Sequence, residues 1–269
     1  MLGLGNSMGS ASAGPLFTPM DISNLVVWLN FGSNITSDVN ASSVSVDHRT
    51  AFSNMVDADK INAWNAHGTT SINAVQTTDA DKPLWETDAA DLGGIKFQTS
   101  KWLDFSSSIV FDVNTDFTIA IRLKCTSYSS GRGFLGSHAE ELIKFVDNDS
   151  IRVKIDNTDR DFDLSSGTFA TDKYITLMIV RSDGSTGNIN VYGRGVDSGY
   201  FDGTATGTQI GSQIADATEI TVTDLGTAVD DAQNFAGIIK DVIIYDGTAV
   251  DSAQREQLFD HIESNIQSN

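Results

Sequence analysis

The chain has 269 residues, of which 40% are hydrophobic, and its 36 acidic and 17 basic residues give a net charge of −19 at pH 7. The apolar content is high enough for a packed core and excludes a disordered chain. Such an excess of negative charge repels nucleic acid and anionic lipid, so neither is expected as a partner. The single cysteine, Cys125, excludes an internal disulfide, and we expect its thiol to be buried and inert.

Residues 1–20 form a segment with four glycines and no charged side chain. A segment of this composition buries too little apolar surface to offset its own ordering entropy. We therefore expect an N-terminal arm that is ordered only by contact with something else, either a partner chain or, alternatively, its own domain. The candidate attachment residues are its large apolar side chains, Leu2, Leu4, Leu16 and Phe17. Because no signal peptide or membrane span is recognisable, we expect a soluble protein with no membrane partner.

The globular pattern predicts one domain over residues 21–269. Residues 25–31, LVVWLNF, are a compact apolar run that predicts a buried strand. Residues 33–94 are mostly polar with scattered aromatics and predict a long irregular region. Residues 116–125, DFTIAIRLKC, have the clearest period of two in the chain, with a large apolar residue or Cys125 at every second position, so we expect one buried and one wet face.

The second half of the chain repeats short strands separated by turn residues. Residues 142–146 and 151–155 flank Asp-Asn-Asp-Ser and predict a hairpin. Residues 174–180, YITLMIV, are apolar at every position except one and predict a strand covered on both faces. With further strands at 219–223 and 237–245, this pattern is typical of an all-β, two-sheet antiparallel sandwich.

The period changes to that of a helix at residues 251–267. Asp251 is followed three positions later by Gln254, as in a capping box. The apolar residues of this segment fall on one stripe of a helix and are Leu258, Phe259, Ile262 and Ile266. We expect one amphipathic helix that packs on the sandwich.

Several short segments resemble the concanavalin A-like, laminin-G-like jelly-roll group, in the form found in phage virion proteins. The matching segments are 25–31, 64–68 (WNAHG) with Asn73-Ala74, Lys82-Pro83, 93–97 (GGIKF), Trp102-Leu103 and 235–262 (FAGIIKDVIIYDGTAVDSAQREQLFDHI). The resemblance implies a two-sheet jelly roll whose loops or concave face hold a sugar or a protein, sometimes with calcium. The glucanase branch of that group carries a Glu-x-Asp-x-Glu strand, which this chain lacks, so the resemblance implies no activity.

Two sets of residues are candidate ligand sites. The acidic run DNTDRDFDL carries Asp156, Asp159 and Asp161, which could hold calcium, although solvated carboxylates at a sheet edge explain the run equally well. Trp85 and His67 could contact a sugar, whereas Trp64 and Trp102 are expected in the core. No other cofactor is expected.

The sequence therefore favours a non-enzymatic structural or adhesive protein of a bacteriophage virion, such as a head decoration, fibre or tail appendage. Its expected partners are other virion proteins and a host-surface glycan, with several copies in one assembly. Such a protein would be made in the host cytoplasm and released by lysis. A carbohydrate-binding lectin module is the alternative, and a glycan-cleaving enzyme of the same fold is the third hypothesis.

Overall fold

A computed structural model describes residues 17–31, 35–38, 45–48, 56–87, 93–128, 132–138, 141–195, 205–227 and 233–264. Between turns and loops these residues form β-strands, with a 3-10 helix at Pro19–Asp21 and the helix α1 at Ser252–Ser264. None of the helices in these ranges is long and apolar enough to cross a membrane.

The strands are short, and turns separate them. In chain order they are β1 (Leu25–Asn30), β2 (Ile35–Asp38), β3 (Ser45–His48), β4 (Lys60–Trp64), β5 (Ala74–Val75), β6 (Leu84–Glu86), β7 (Gly94–Phe97), β8 (Leu103–Phe111), β9 (Phe117–Cys125), β10 (Arg132–His138), β11 (Glu141–Phe145), β12 (Ser150–Ile155), β13 (Thr158–Asp163), β14 (Tyr174–Ser182), β15 (Asn188–Arg194), β16 (Thr208–Ala215), β17 (Ile220–Leu225) and β18 (Gly237–Asp246).

The strands build two antiparallel sheets. Sheet I has the order β16–β15–β14–β9–β18–β1, and sheet II has the order β13–β12–β11–β10–β17–β8–β5. Strands β7, β6 and β4 connect them, because β7 pairs with β18 and β4 pairs with β5. Strand β2 pairs with β4 and β3. This architecture confirms the predicted all-β jelly-roll sandwich with one C-terminal helix.

The core lies between the inward faces of the two sheets. Sheet I contributes alternate residues of β9, such as Ile119 and Ile121, and sheet II contributes residues such as Phe134 and Phe145. Cys125 closes the β9 series, is 0% exposed, and has a pKa raised to about 12 by burial. A thiol that stays protonated in an apolar environment is not a nucleophile, in agreement with the sequence.

Helix α1 covers the outward face of sheet I and forms a second, smaller core there. Leu258, Phe259 and Ile262 are fully buried against Met178 and Ile243. At about 1.5–3 kcal/mol each, the three helical side chains contribute roughly 5–9 kcal/mol of burial. Ile266, the fourth predicted stripe residue, lies outside the described residues.

The predicted capping box starts this helix. The Gln254 backbone N–H donates to Asp251 Oδ1 at 2.9 Å, and the Asp251 N–H donates to Gln254 Oε1 at 3.0 Å. These two reciprocal hydrogen bonds satisfy backbone donors that the first helical turn leaves free.

The prediction of a wet face on β9 is wrong. Thr118, Ala120 and Arg122, which leave the sheet on the outward face, are all buried. The helix and residues 17–22 lie over this face, so both faces of β9 are covered. The polar side chains of β9 form buried hydrogen bonds instead. For example, Thr118 Oγ1 donates to the Thr248 carbonyl at 2.9 Å.

Three other expectations have mixed outcomes. The hairpin β11–β12 and the doubly buried strand β14 agree with the sequence. The region predicted as irregular, residues 33–94, instead contains the short strands β2 to β7. These strands are two to five residues long, too short to give a period that can be recognised in sequence.

Candidate functional site

The outward face of sheet II carries polar side chains that reach solvent. On β8, Asp104 and Ser106 are exposed, and they alternate with Leu103 and Phe105, which point into the core. A sheet face of this kind presents a broad polar surface to a ligand. We call it the open face, in contrast to the helix-covered face of sheet I.

Trp102 lies at one end of the open face and is only half-buried. Its indole Nε1 donates a hydrogen bond to Asp104 Oδ1 at 2.9 Å, and its backbone N–H donates to the Asp81 carbonyl at 3.3 Å. The expectation that Trp102 belongs to the core is therefore wrong, whereas Trp64 is fully buried as expected. A partly exposed indole that is fixed by its own N–H is well suited to stack on a flat, apolar ligand face.

The sequence itself contains a signal for the outward position of Trp102. In residues 102–106, WLDFS, apolar Leu103 and Phe105 alternate with Asp104 and Ser106. Since strand side chains alternate between faces, Trp102 belongs with the outward set.

Carboxylates and hydroxyls continue the surface beside Trp102. Asp104 on β8 is directly opposite Asp224 on β17, and Asp224 Oδ2 accepts a hydrogen bond from Thr223 Oγ1 at 2.8 Å. On the same sheet, Glu141 Oε2 accepts from the Thr221 N–H at 2.8 Å. Two carboxylates in opposed positions repel each other, and a ligand that donates hydroxyl protons to both would relieve that cost.

The proposed calcium ligands do not converge. Asp159 and Asp161 both pair with Arg152, with closest N–O distances of 2.5 and 2.6 Å, so their charge is largely neutralised by one guanidinium. Asp156 lies in the β12–β13 turn with a φ of 44°, at the end of the hairpin away from Asp161. In the described ranges, no group of three His, Cys, Asp or Glu side chains could hold a metal ion.

Trp85 is a core residue and cannot serve as a stacking surface. It is 2% exposed and belongs to the main hydrophobic cluster, where β6 pairs it with Ile95. The sequence placed it in a polar loop, but the short strands on either side carry it inward.

His67 packs edge-on against Trp28, with ring centroids 4.2 Å apart, and His261 of the helix lies on the same indole at 5.6 Å. Burial lowers the pKa of both histidines, and for His261 the charge of His67 lowers it further. His67 is half-buried in this cluster, which lies on the helix side of the molecule, so the open face is formed without it.

Phe17, a candidate attachment residue, lies on its own domain. Its ring packs edge-on against His261 at 6.1 Å, and the Pro19 carbonyl accepts a hydrogen bond from Tyr245 Oη at 2.8 Å. Residues 17–20 are therefore packed on the sandwich rather than separate from it. A groove of about 390 Å³ between this segment and the helix is lined by Phe17, Asp21, Ile22, Gln254 and Gln257. Leu2, Leu4 and Leu16 lie outside the described residues.

Several solved structures share this fold. Domain 4 of AbnA, a GH43 extracellular arabinanase from Geobacillus stearothermophilus, in complex with arabinotriose, matches with a TM-score of 0.51 and 13% identity over 87% of this chain and 98% of that chain. An arabinofuranosidase complexed with arabinofuranosyl-alpha-1,2-xylobiose matches with a TM-score of 0.60 and 11% identity over 93% of this chain and 64% of that one. The botulinum neurotoxin serotype G binding domain matches with a TM-score of 0.54 and 11% identity over 90% and 51%.

No protein-family model and no curated protein sequence matches the chain. At identities of 11–13%, the structural matches establish the fold alone. The chain therefore has the β-sandwich fold of these domains.

Proposed function

We propose that this protein is a non-catalytic carbohydrate-binding module whose open face holds a saccharide on Trp102. The observation that carries the proposal is the half-buried indole fixed by Asp104, with the opposed carboxylate of Asp224 beside it. Sugar rings offer an apolar C–H face for the indole and hydroxyl donors for the two carboxylates. Two matched structures that contain bound saccharides, one of them arabinotriose, support this reading through shared fold.

The test is a binding screen with neutral oligosaccharides, beginning with arabinotriose, followed by titration calorimetry on the best ligand. Replacement Trp102→Ala is expected to weaken binding about tenfold or more, because stacking on an aromatic ring contributes roughly 1 kcal/mol beyond its buried area. Val110→Ala is the matched control, since Val110 is an exposed residue of β8, the strand that follows Trp102. Equal loss in both variants, or no binding of any sugar by the unmodified protein, would contradict the proposal.

The same site distinguishes binding from cleavage. Asp104 and Asp224 leave neighbouring strands on one face, whereas glycosidases place two carboxylates on either side of the scissile bond. We therefore expect no release of reducing ends from a bound polysaccharide. Turnover that Asp104→Asn abolishes would instead support the enzyme hypothesis.

We further propose that the module is carried by a larger assembly, with residues 1–16 as the attachment arm and a phage virion as the predicted assembly. Supporting this are the uncharged, glycine-rich composition of the arm and the packing of Phe17 on the domain, which gives the arm a fixed starting point. The deletion should end at residue 16, because removal of residues 17–20 would also disturb the second, smaller core beneath the helix. Full-length and arm-deleted protein would be added to particles that lack it. Equal occupancy would rule out attachment through the arm.

A further inference from the structure

The free edges of the two sheets meet at a seam. Strand β13 ends sheet II and β16 ends sheet I, and the described pairings join β13 only to β12 and β16 only to β15. Gly211 brings the edges together, since its φ is +63° and a Cβ at that position would lie 3.0 Å from Phe162 Cα. Beside the contact between Gly211 and Phe162 lies a groove of about 490 Å³, a volume within the usual range for small-molecule sites.

Polar groups and an apolar patch line this seam groove. Its polar residues are Asp161, Asp163, Ser165, Gln209 and Ser212. Leu164 and Ile214 supply the apolar part. Carboxylate, hydroxyl and amide groups around an apolar patch match a sugar ring, which has hydroxyls at its rim and C–H bonds on its face.

Two of the polar groups are already held in position. Arg152 donates two hydrogen bonds to Asp161, from Nε to Oδ1 at 2.6 Å and from Nη2 to Oδ2 at 2.7 Å. Gln209 Nε2 donates to Asn190 Oδ1 at 3.2 Å. Binding groups fixed before a ligand arrives lose less entropy on association, so the groove is preorganised.

The charge of the groove selects among sugars. Two aspartates are among its described lining residues, and because Arg152 offsets the charge of Asp161, Asp163 supplies the local negative charge. The protein as a whole has a net charge of −19. A uronate or sulfated sugar would meet like charge from both the groove and the whole molecule. A neutral sugar meets only hydrogen-bond acceptors and donors.

We propose that the seam groove is a second saccharide subsite, selective for neutral sugars. The proposal rests on the proposed carbohydrate-binding function and extends it from one subsite to two. Five strand spacings separate β8 from β13 in sheet II, so the two subsites are about 24 Å apart in the direction across the strands. One long polysaccharide that reaches both would bind more tightly than a short fragment, through effective concentration.

The experiment counts sites by calorimetry with arabinotriose, or with the best neutral trisaccharide of the screen. Ser212→Leu fills the groove, and Gln213→Leu is its matched control, because Gln213 is exposed on the same strand but does not line the groove. We expect two sites per chain in the unmodified protein and in Gln213→Leu, and one site in Ser212→Leu and in Trp102→Ala. The affinity of the polysaccharide should fall at least tenfold in Ser212→Leu, and polygalacturonate should not bind the groove.

The other possible results would overturn either the seam proposal or the proposed function. One site that only Trp102→Ala removes would overturn the seam proposal and leave the proposed function intact. Two sites in Ser212→Leu, or tight binding of polygalacturonate that Ser212→Leu abolishes, would also overturn it. Absence of any saccharide binding in the unmodified protein would overturn the proposed function itself.

Discussion

The buried side chain of Arg181 offers the sharpest test of how this sandwich is held together. It is 0% exposed and donates to carbonyls of two separate turns. Its Nε donates to Thr115 at 2.7 Å, one Nη donates to Asp112 at 2.8 Å and to Phe111 at 3.4 Å, and the other donates to Thr218. One guanidinium on β14 therefore fixes the β8–β9 and β16–β17 turns.

The positive charge of Arg181 also interacts with nearby carboxylates. Burial lowers its pKa, while the charges of Asp216, Asp116 and Asp246 act in the opposite direction. The guanidinium lies 4.8 Å from the centre of the Phe117 ring. Its loss would leave several carbonyls without donors and would remove a positive charge that interacts with Asp216, Asp116 and Asp246.

We expect Arg181→Met to lower the free energy of unfolding by about 3–5 kcal/mol, the usual cost of removing one partner from a buried charged network. For a domain of this size that corresponds to a fall in Tm of about 10 °C. Urea unfolding and thermal scans measure both. The control is Arg255→Met, because Arg255 makes one long hydrogen bond to Thr206 at 3.5 Å and stacks on Tyr192, and its loss should cost about 1 kcal/mol. Equal costs for the two variants would refute the reasoning.

Three further predictions concern other buried groups. Burial raises the pKa of Asp241 to about 7. The folded state therefore keeps a proton that the unfolded state releases near pH 4, and the stability that this proton contributes is lost as the pH rises from 4 to 7. Asp241→Asn should remove up to about 1.4 kcal/mol per pH unit of that dependence in urea titrations, and an unchanged slope would count against it. The pKa of His67 is lowered by burial against Trp28, so stability should fall as pH drops below about 6.5, and His67→Gln should reduce that fall in melting curves recorded from pH 7 to 5. Gly226→Ala should cost roughly 2–5 kcal/mol by denaturation, because φ is +86° and the new Cβ would lie 2.0 Å from Phe97 Cδ1; a cost below 1 kcal/mol would contradict this geometry.

Features that depend on neighbouring residues could be predicted from the sequence. The alternation of residues 151–155 gave β12, the continuous apolar run at 174–180 gave a strand buried on both faces, and the Asp251–Gln254 pair gave the start of the helix. Each of these follows from the period of a strand or a helix, or from a cap within one turn, and needs no distant contact.

Tertiary structure decided which faces are covered. The polar residues of β9 predict a wet face, yet Thr118 and Arg122 are buried. Their partners are distant in sequence: Thr118 hydrogen-bonds to Thr248 and Val250, just before the helix, and Arg122 lies 4.0 Å from Glu263 of the helix. Trp85 is a second case, since its short strand β6 carries it into the core. Trp102 differs, because the alternation of residues 102–106 indicates its outward position in the sequence itself.

The binding surfaces likewise depend on partners that are distant in sequence. Asp104 faces Asp224 across a strand pair separated by 120 positions, and the seam groove joins β13 to β16 from opposite sheets. Sequence periodicity reports how one strand divides its side chains between two faces. Which strand lies opposite, and which face a helix then covers, is set by the packing of the whole chain, and for this protein that packing places the indole, the carboxylates and the groove.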